Sequence, residues 1–277
     1  MNILVTGASG FLGGRLITEL DHGLGNIYGV SSCGTETTVG CDLNNKDGVK
    51  ALIESVEPDC IIHCAAYVPK KASDYQDDLC AKSNVLMTQN ILDASFCPII
   101  YISSMTVYGD SKNCPIAETE ICRPANHYAQ SKLDCERLIK ESGCGGFAMR
   151  IPGLFGWPRQ SGLVFSLIRS ALTGEDIDLP HVPISWSGIH VADAAQGIVR
   201  LIPKATEIFS AVNLGCPGES SVNNLIRLVN DIYGSSIKSK VKHPPFEFDL
   251  SRYQTLTGVP VASLRRCLEK LGDEIDV

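Results

Sequence analysis

The chain has 277 residues, 44% of them hydrophobic and 20% charged, enough to bury a sizeable core in one large domain or in a main domain with a smaller lobe. A net charge of -7, with no Lys/Arg run longer than two, excludes the basic stripe by which nucleic-acid binders and anionic-membrane binders hold phosphates. The first residues, Met1 to Gly7, carry no basic region or cleavage site, and no apolar run approaches the ~18 residues of a membrane span, so a soluble, cytoplasmic protein is expected.

Asn2 to Val5 is a short apolar run ending in Thr6-Gly7, and Phe11 to Leu20 follows with helical periodicity, which gives a strand, a glycine turn and a helix. The pattern repeats. Ile27 to Ser31 reads as strand, Asp47 to Val56 as helix, Cys60 to Cys64 as strand, Asn84 to Ser95 as helix and Ile99 to Ile102 as strand. His127 to Glu141 then reads as helix and Phe147 to Ile151 as strand. Such alternation predicts an α/β fold of the Rossmann type, a doubly wound parallel sheet covered on both faces, with ligands at the carboxyl ends of its strands.

Beyond Ile151 the texture changes, because Pro152, Gly153, Gly156, Pro158, Pro180 and Pro183 interrupt the chain. A smaller, irregular substrate-binding lobe is expected to start there. Ile189 to Leu201 reads as the start and body of a helix, Val212 to Gly215 as strand and Val222 to Tyr233 as amphipathic helix. The expected division is a dinucleotide-binding domain over 1–151 plus about 186–214, and a lobe over about 152–185 plus 215–277. Twelve cysteines stand without a CxxC pair and are expected to be reduced thiols. Cys60 and Cys64 come nearest to a ligand pair, but they flank a buried strand, and no metal is expected.

Three elements carry chemistry. In Thr6-Gly7-Ala8-Ser9-Gly10-Phe11-Leu12-Gly13 the glycines recur every third residue between a strand and a helix. Such a turn lets backbone N–H groups approach a pyrophosphate at the positive end of the helix, although the spacing alone also suits a plain strand-to-helix turn. Tyr128-Ala129-Gln130-Ser131-Lys132 places a phenol and an ammonium one helical turn apart, where the ammonium stabilises the phenolate; in isolation it also reads as a solvated helix face. Ser103-Ser104-Met105-Thr106-Val107-Tyr108-Gly109 ends an apolar strand, and a hydroxyl there can hydrogen-bond a substrate carbonyl. At the end of the second strand, Ser31 stands where an acidic residue would bind the ribose hydroxyls of NAD and repel the extra phosphate of NADP. Its neutral hydroxyl therefore predicts NAD or NADP with a weak lean to NADP, and Arg15 is the nearest candidate phosphate contact, or else a solvated helix residue.

Taken together, these segments resemble the extended short-chain dehydrogenase/reductase family, the NAD-dependent epimerase/dehydratase type that modifies nucleotide sugars. Cys41-Asp42-Leu43, His63-Cys64-Ala65-Ala66, Ser83-Asn84-Val85, Arg150-Ile151-Pro152 and Ile189-His190-Val191-Ala192-Asp193 extend the likeness along the chain. The resemblance implies a catalytic triad of Ser104, Tyr128 and Lys132. It puts Asp42 and Leu43 at the adenine, and Cys64, Ala65, Ala66 and Pro152 along the cofactor. Lys132 is put at the nicotinamide ribose and Asn84 as a brace for the active-site strand, unless Asn84 merely caps a turn. On the substrate side it puts Ser104, Met105, Thr106, Gly153 and Trp186. His63 and His190 read as structural histidines.

Two departures bear on the substrate. The Asp-Glu pair of the family's dehydratases is replaced by Met105-Thr106, which speaks against a 4,6-dehydratase, and Gly153 and Trp186 stand where many members carry an Asn and an Arg toward substrate phosphates. The implied activity is hydride transfer on a nucleotide-activated 4-keto or 4-hydroxy sugar with Tyr128 as acid/base. The alternatives are an NADPH-dependent reductase of a non-nucleotide carbonyl compound and a non-catalytic dinucleotide-binding protein. Family members often dimerise through the helices that here contain Asn84 to Ser95 and Tyr128 to Glu141, so a homodimer is expected, with Leu133, Leu138 and Ile139 as apolar candidates.

Overall fold

The computed structural model describes residues 1–20, 24–109, 114–205 and 208–275. The chain divides into two compact units, Met1–Ser111 with Thr119–Arg150 and Ala195–Val212, and Lys112–Glu118 with Ile151–Ala194 and Asn213–Val277.

The first unit is built on alternating strands and helices: β1 (Asn2–Thr6), α1 (Phe11–Leu20), β2 (Asn26–Ser31), β3 (Val39–Gly40), α2 (Lys46–Val56), β4 (Cys60–His63), α3 (Asp78–Ala94), β5 (Ile99–Ser104), α4 (His127–Ser142) and β6 (Gly146–Ile151). A seven-stranded sheet runs β3-β2-β1-β4-β5-β6-β9, where β9 is Phe209–Asn213, and β3, β2, β1, β4 and β5 pair in parallel in that order. Because the chain winds outward from β1 through β2 and β3 and then returns to β4 on the other side, the strand order reverses between β1 and β4. That reversal is the switch point at which such sheets bind ligands. β1 is buried at Ile3, Leu4, Val5 and Thr6, and β4 at all four positions, as expected of strands covered on both faces.

Local chemistry fixes the helix phases. Asn45 caps α2 by accepting from the Gly48 N–H at 3.1 Å, Asp77 caps α3 by accepting from Cys80 at 3.0 Å, and Asn126 caps α4 by accepting from Ala129 at 2.8 Å. Gly143 then ends α4 in the left-handed conformation, at φ 78°. The Asn126 cap sets Tyr128 in the first turn of α4.

Within the second unit, β7 (Gly153–Phe155) pairs in parallel with β8 (Gly188–His190), and α5 is Leu163–Thr173. α6 (Val191–Val199) follows β8, and α7 (Val222–Tyr233), α8 (Ser251–Thr257) and α9 (Leu264–Glu274) follow β9. Lys270 of α9 binds Asp193 at 2.7 Å, Glu274 binds His190 Nε2 at 3.0 Å, and Tyr233 donates to the Leu268 carbonyl at 2.8 Å.

Four elements differ from the sequence expectation. α3 starts at Asp78, six residues before Asn84, because Asp77 caps it; its apolar residues do not share one face, since Leu79 and Leu86 are exposed whereas Asn84, Thr88 and Asn90 are buried. Val212-Asn213 ends β9 and does not begin it: the Asn213 side-chain amide donates to the Ile116 and Asp249 carbonyls, at 2.9 and 3.3 Å. The stretch predicted irregular holds α5, whose apolar face of Val164, Leu167 and Ile168 follows Gly162 without a side-chain cap. Gly188 to His190 is strand, so the helix expected from Ile189 begins at Val191. Among the described residues, no helix is long and apolar enough to cross a membrane.

Candidate active site

The glycine turn joins β1 to α1 beside the switch point. Gly7 has φ 65°, and a Cβ on it would lie 2.8 Å from the Ala65 backbone nitrogen; one on Gly13 would lie 2.1 Å from the Gly7 carbonyl oxygen. Only glycine permits both approaches. The Gly7 carbonyl accepts from the Gly10 N–H at 2.9 Å, which folds the turn so that Ser9 and Gly10 stand exposed at the first turn of α1. Phe11 is half-buried, while Leu12 joins the buried face of the helix. An open helix N-terminus behind a tight glycine turn is a cradle for a phosphate group, so these residues fit a dinucleotide.

Next to this turn, Thr6, His63, Thr88 and Asn84 form a buried chain. Thr88 donates to the Asn84 carbonyl at 3.1 Å, so it accepts from His63 Nε2 at 3.2 Å; His63 Nδ1 is left to accept from Thr6 at 2.7 Å, and Thr6 in turn accepts from the Ala65 N–H at 3.2 Å. This order requires a neutral imidazole. Burial first, and the Lys132 charge second, lower the His63 pKa to about 3. His63 thereby fixes the backbone of Ala65. Asn84 holds the same loop through Tyr67, accepting from its N–H at 2.7 Å and donating to its carbonyl at 3.2 Å. Its brace is therefore on the loop after β4, where Cys64, Ala65 and Ala66 are half-buried. Burial pushes the Cys64 thiol up to about 12 against the pull of Lys132, so it stays protonated.

At the end of β2, the Ser31 hydroxyl lies 2.7 Å from that of Thr38, which lies 2.8 Å from that of Thr35. Thr35 and Thr38 were not singled out from the sequence, where a Thr-rich turn carries no such signal. Asp42 is exposed, its Oδ1 taking the Asn44 N–H at 2.9 Å, whereas Leu43 is buried and its carbonyl accepts from Asn90 at 2.9 Å.

Tyr128, Lys132 and the end of β5 share one corner of this unit. Lys132, 3% exposed, donates from Nζ to the Ile102 carbonyl at 2.8 Å, two residues before Ser104, and its nitrogen lies 4.8 Å from the Tyr101 ring centroid and 5.8 Å from that of Tyr128. Burial lowers the Lys132 pKa to about 8, opposed by attraction to Cys135, Cys64 and Glu136. The half-buried Tyr128 ring meets the edge of Tyr75 at 5.8 Å, and burial with Tyr75 raises its phenol pKa. Ser104 accepts from the Thr106 N–H at 3.2 Å and hydroxyl at 2.9 Å, which opens the 3-10 turn Met105–Tyr108. Its own hydroxyl hydrogen stays available to another oxygen. A group missed from sequence lies behind: Glu136 and Arg150 form a buried ion pair at 2.7 Å.

In the second unit, Pro152 is buried, and Gly153 is exposed and donates its N–H to the Ser187 carbonyl at 3.1 Å. Trp186 is half-buried, and a Cβ on Gly188 would lie 2.9 Å from its indole, so the ring packs on Gly188. His190 accepts from the Ala192 N–H and pairs with Glu274, a structural role. All twelve cysteines are free thiols.

A parallel sheet with a glycine turn at its switch point defines the class of Rossmann-type proteins. Within that class, the sequence model of the NAD dependent epimerase/dehydratase family matches residues 3–215, and the chain belongs to this family. It is 31% identical to methionine adenosyltransferase 2 subunit beta of Xenopus laevis over 157 residues, 55% of this chain and 47% of the relative. It is 29% identical to GDP-6-deoxy-D-talose 4-dehydrogenase of Aggregatibacter actinomycetemcomitans over 215 residues, 75% of this chain and 72% of the relative. The match thus spans about half the length of the methionine adenosyltransferase subunits. Among solved structures, MoeE5 in complex with UDP-glucose and NAD superimposes with a TM-score of 0.79 at 23% identity, over 99% of this chain and 98% of the other. UDP-glucose 4-epimerase from Thermotoga maritima gives 0.81 at 21%, with the same coverage. At such identities the likeness establishes the fold.

Proposed function

We propose that the chain is an NAD(P)-dependent oxidoreductase or epimerase acting on a nucleotide-activated 4-keto or 4-hydroxy sugar, with Ser104, Tyr128 and Lys132 as its catalytic residues. The observation that carries this reading is the buried Lys132 ammonium, set beside the Tyr128 ring and bonded to β5 two residues before Ser104. The bound nicotinamide supplies hydride transfer. Tyr128, whose phenol keeps its proton in the protein alone, gives that proton to a substrate carbonyl oxygen; the Lys132 charge stabilises the phenolate left behind, and Ser104 donates a hydrogen bond to the same oxygen. Gly7, Ser9, Gly10 and Gly13 hold the pyrophosphate, with Phe11 and Leu12 beside them. Asp42 and Leu43 meet the adenine, and Cys64, Ala65, Ala66 and Pro152 line the dinucleotide, braced by Asn84.

NAD is the cofactor class that the family's description gives, and a weak lean to NADP rests on the uncharged Ser31. Arg15, the candidate phosphate contact, pairs its terminal nitrogen with Glu19 one turn along α1 at 2.8 Å, which favours its reading as a helix-surface residue. The second unit serves as the substrate lobe and carries Gly153 and Trp186, and Met105 and Thr106 are the substrate-side residues of the first unit. We further infer a cytoplasmic homodimer through α3 and α4. Leu133 and Ile139 are buried, so Leu79 and Leu86, exposed seven residues apart on α3, replace them as apolar candidates.

Two observations favour second readings. The Trp186 ring packs on Gly188 where a cationic clamp would hold phosphates, which favours a carbonyl substrate without a nucleotide. Relatives named as subunits of methionine adenosyltransferase favour a role as a subunit, which agrees with the alternative of a non-catalytic dinucleotide-binding protein. A thermal-shift screen of nucleotide sugars with NAD(H) or NADP(H) present separates the main reading from both of these. A sugar nucleotide that raises Tm further and is turned over supports the main reading; stabilisation by cofactor alone, with no turnover on any sugar nucleotide, contradicts it.

A further inference from the structure

Behind the site, four side chains form a buried network. Glu136 Oε1 accepts from the Ser103 hydroxyl, and Arg150 clamps the same carboxylate twice, Nε to Oε1 at 3.1 Å and Nη2 to Oε2 at 2.7 Å. The third guanidinium nitrogen donates to the Tyr108 hydroxyl at 3.0 Å, and the guanidinium carbon lies 4.9 Å from the Tyr108 ring centroid. Each of these residues is at most 7% exposed.

A buried ion pair is a poor device for stability, since apolar side chains of similar volume commonly serve as well. What the two-bond clamp supplies is direction, because a planar guanidinium fits a carboxylate in one orientation. The network grips four segments: Ser103 on β5, Tyr108 at the end of the 3-10 turn, Glu136 on α4 and Arg150 on β6. Each segment but β6 carries groups of the proposed site. Ser103 precedes Ser104, the 3-10 turn contains Met105 and Thr106, and Glu136 stands one turn beyond Lys132, which stands one turn beyond Tyr128 on the same helix face.

We propose that Glu136, clamped by Arg150, is a positioning residue: it holds α4 in register against β5, so that the Lys132 ammonium and the Ser104 hydroxyl are presented in alignment. The inference rests on the reading of Ser104, Tyr128 and Lys132 as the catalytic groups. Glu136 also acts through space. Lys132 is faced by Cys64 and His63 of the β4 segment, Tyr101 of β5, and Tyr128, Cys135 and Glu136 of its own helix, and Glu136 is the carboxylate among those that hold its proton against burial.

The double variant Glu136→Leu/Arg150→Met removes the ion pair without leaving a lone buried charge, and Arg150→Lys keeps the charge while losing the two-bond clamp. Tm, NADH affinity by fluorescence across about pH 6 to 9.5, and kcat and KM on a sugar nucleotide that the wild type turns over are measured on all three proteins. Both variants are expected to fold and to lose about tenfold to a hundredfold in kcat with KM little changed, the scale of a small misplacement. In the double variant, the high-pH loss of NADH affinity should set in at lower pH than in the wild type, because Lys132 gives up its proton earlier. Unchanged kcat and an unchanged pH midpoint in whichever variant folds overturn the proposal, whatever happens to Tm. If the wild type binds NADH but turns over no sugar nucleotide, the function reading fails and the pH midpoint alone decides the inference. A wild type that binds no NADH removes both.

Discussion

The Nζ of Lys132 lies 5.8 Å from the Tyr128 ring centroid and is tied to the Ile102 carbonyl at 2.8 Å, so the pair is fixed to the sheet and not only to its own helix. Burial shifts the two groups in opposite senses, lowering the Lys132 pKa to about 8 and raising that of Tyr128. At neutral pH the pair is an ammonium beside a protonated phenol.

The first prediction follows from the Lys132 shift. Its ordinary value of 10.5 governs the unfolded chain, so between about 8 and 10.5 the unfolded state binds more protons than the folded one, and this residue's contribution to stability improves as pH rises. Cofactor binding that needs the ammonium moves the other way, weakening above about pH 8. NADH dissociation constants across that range check this, with the Lys132→Met variant as control. Affinity that stays flat to pH 10 in the wild type takes Lys132 away from the cofactor.

A second prediction concerns cofactor choice. Ser31→Asp places a carboxylate where the Ser31 and Thr38 hydroxyls now meet at 2.7 Å, and repulsion of a 2′-phosphate should move the preference toward NAD(H). The wild type should bind NADP(H) at least as tightly as NAD(H). Wild-type affinity about tenfold better for NAD(H), a difference of about 1.4 kcal/mol, overturns the lean.

Much of this was legible because it is local. The glycine turn and the Tyr128 to Lys132 spacing are set by neighbours within a few residues, and α1 and α7 have the bounds their apolar stripes predict. The Glu136–Arg150 pair was not legible: its members lie 14 residues apart, on a helix and a strand, and each reads alone as an ordinary charged residue. The same holds for the chain from Thr6 through His63 to Thr88, which parallel pairing of β1 with β4 and the packing of α3 bring together. The start of α3 was hidden because Leu79 is exposed while the polar Asn84, Thr88 and Asn90 are buried, which leaves no clean hydrophobic period to read.

The third prediction tests assembly. Leu79 is 79% exposed and Leu86 45%, on a helix that packs against α4. If this face joins two copies, Leu79→Glu/Leu86→Glu should convert dimer to monomer in light scattering at micromolar concentration with little change in Tm, since neither side chain is in the core. A wild type that is itself monomeric under those conditions rejects the dimer.

The central claim, that Tyr128 moves the proton, is tested most directly by Tyr128→Phe. The substitution keeps the ring against Tyr75 and beside Lys132 while deleting the hydroxyl. With whichever sugar nucleotide and cofactor the wild type turns over, kcat should fall by at least about a hundredfold while cofactor affinity stays within a few-fold. Turnover near the wild-type rate would contradict the account.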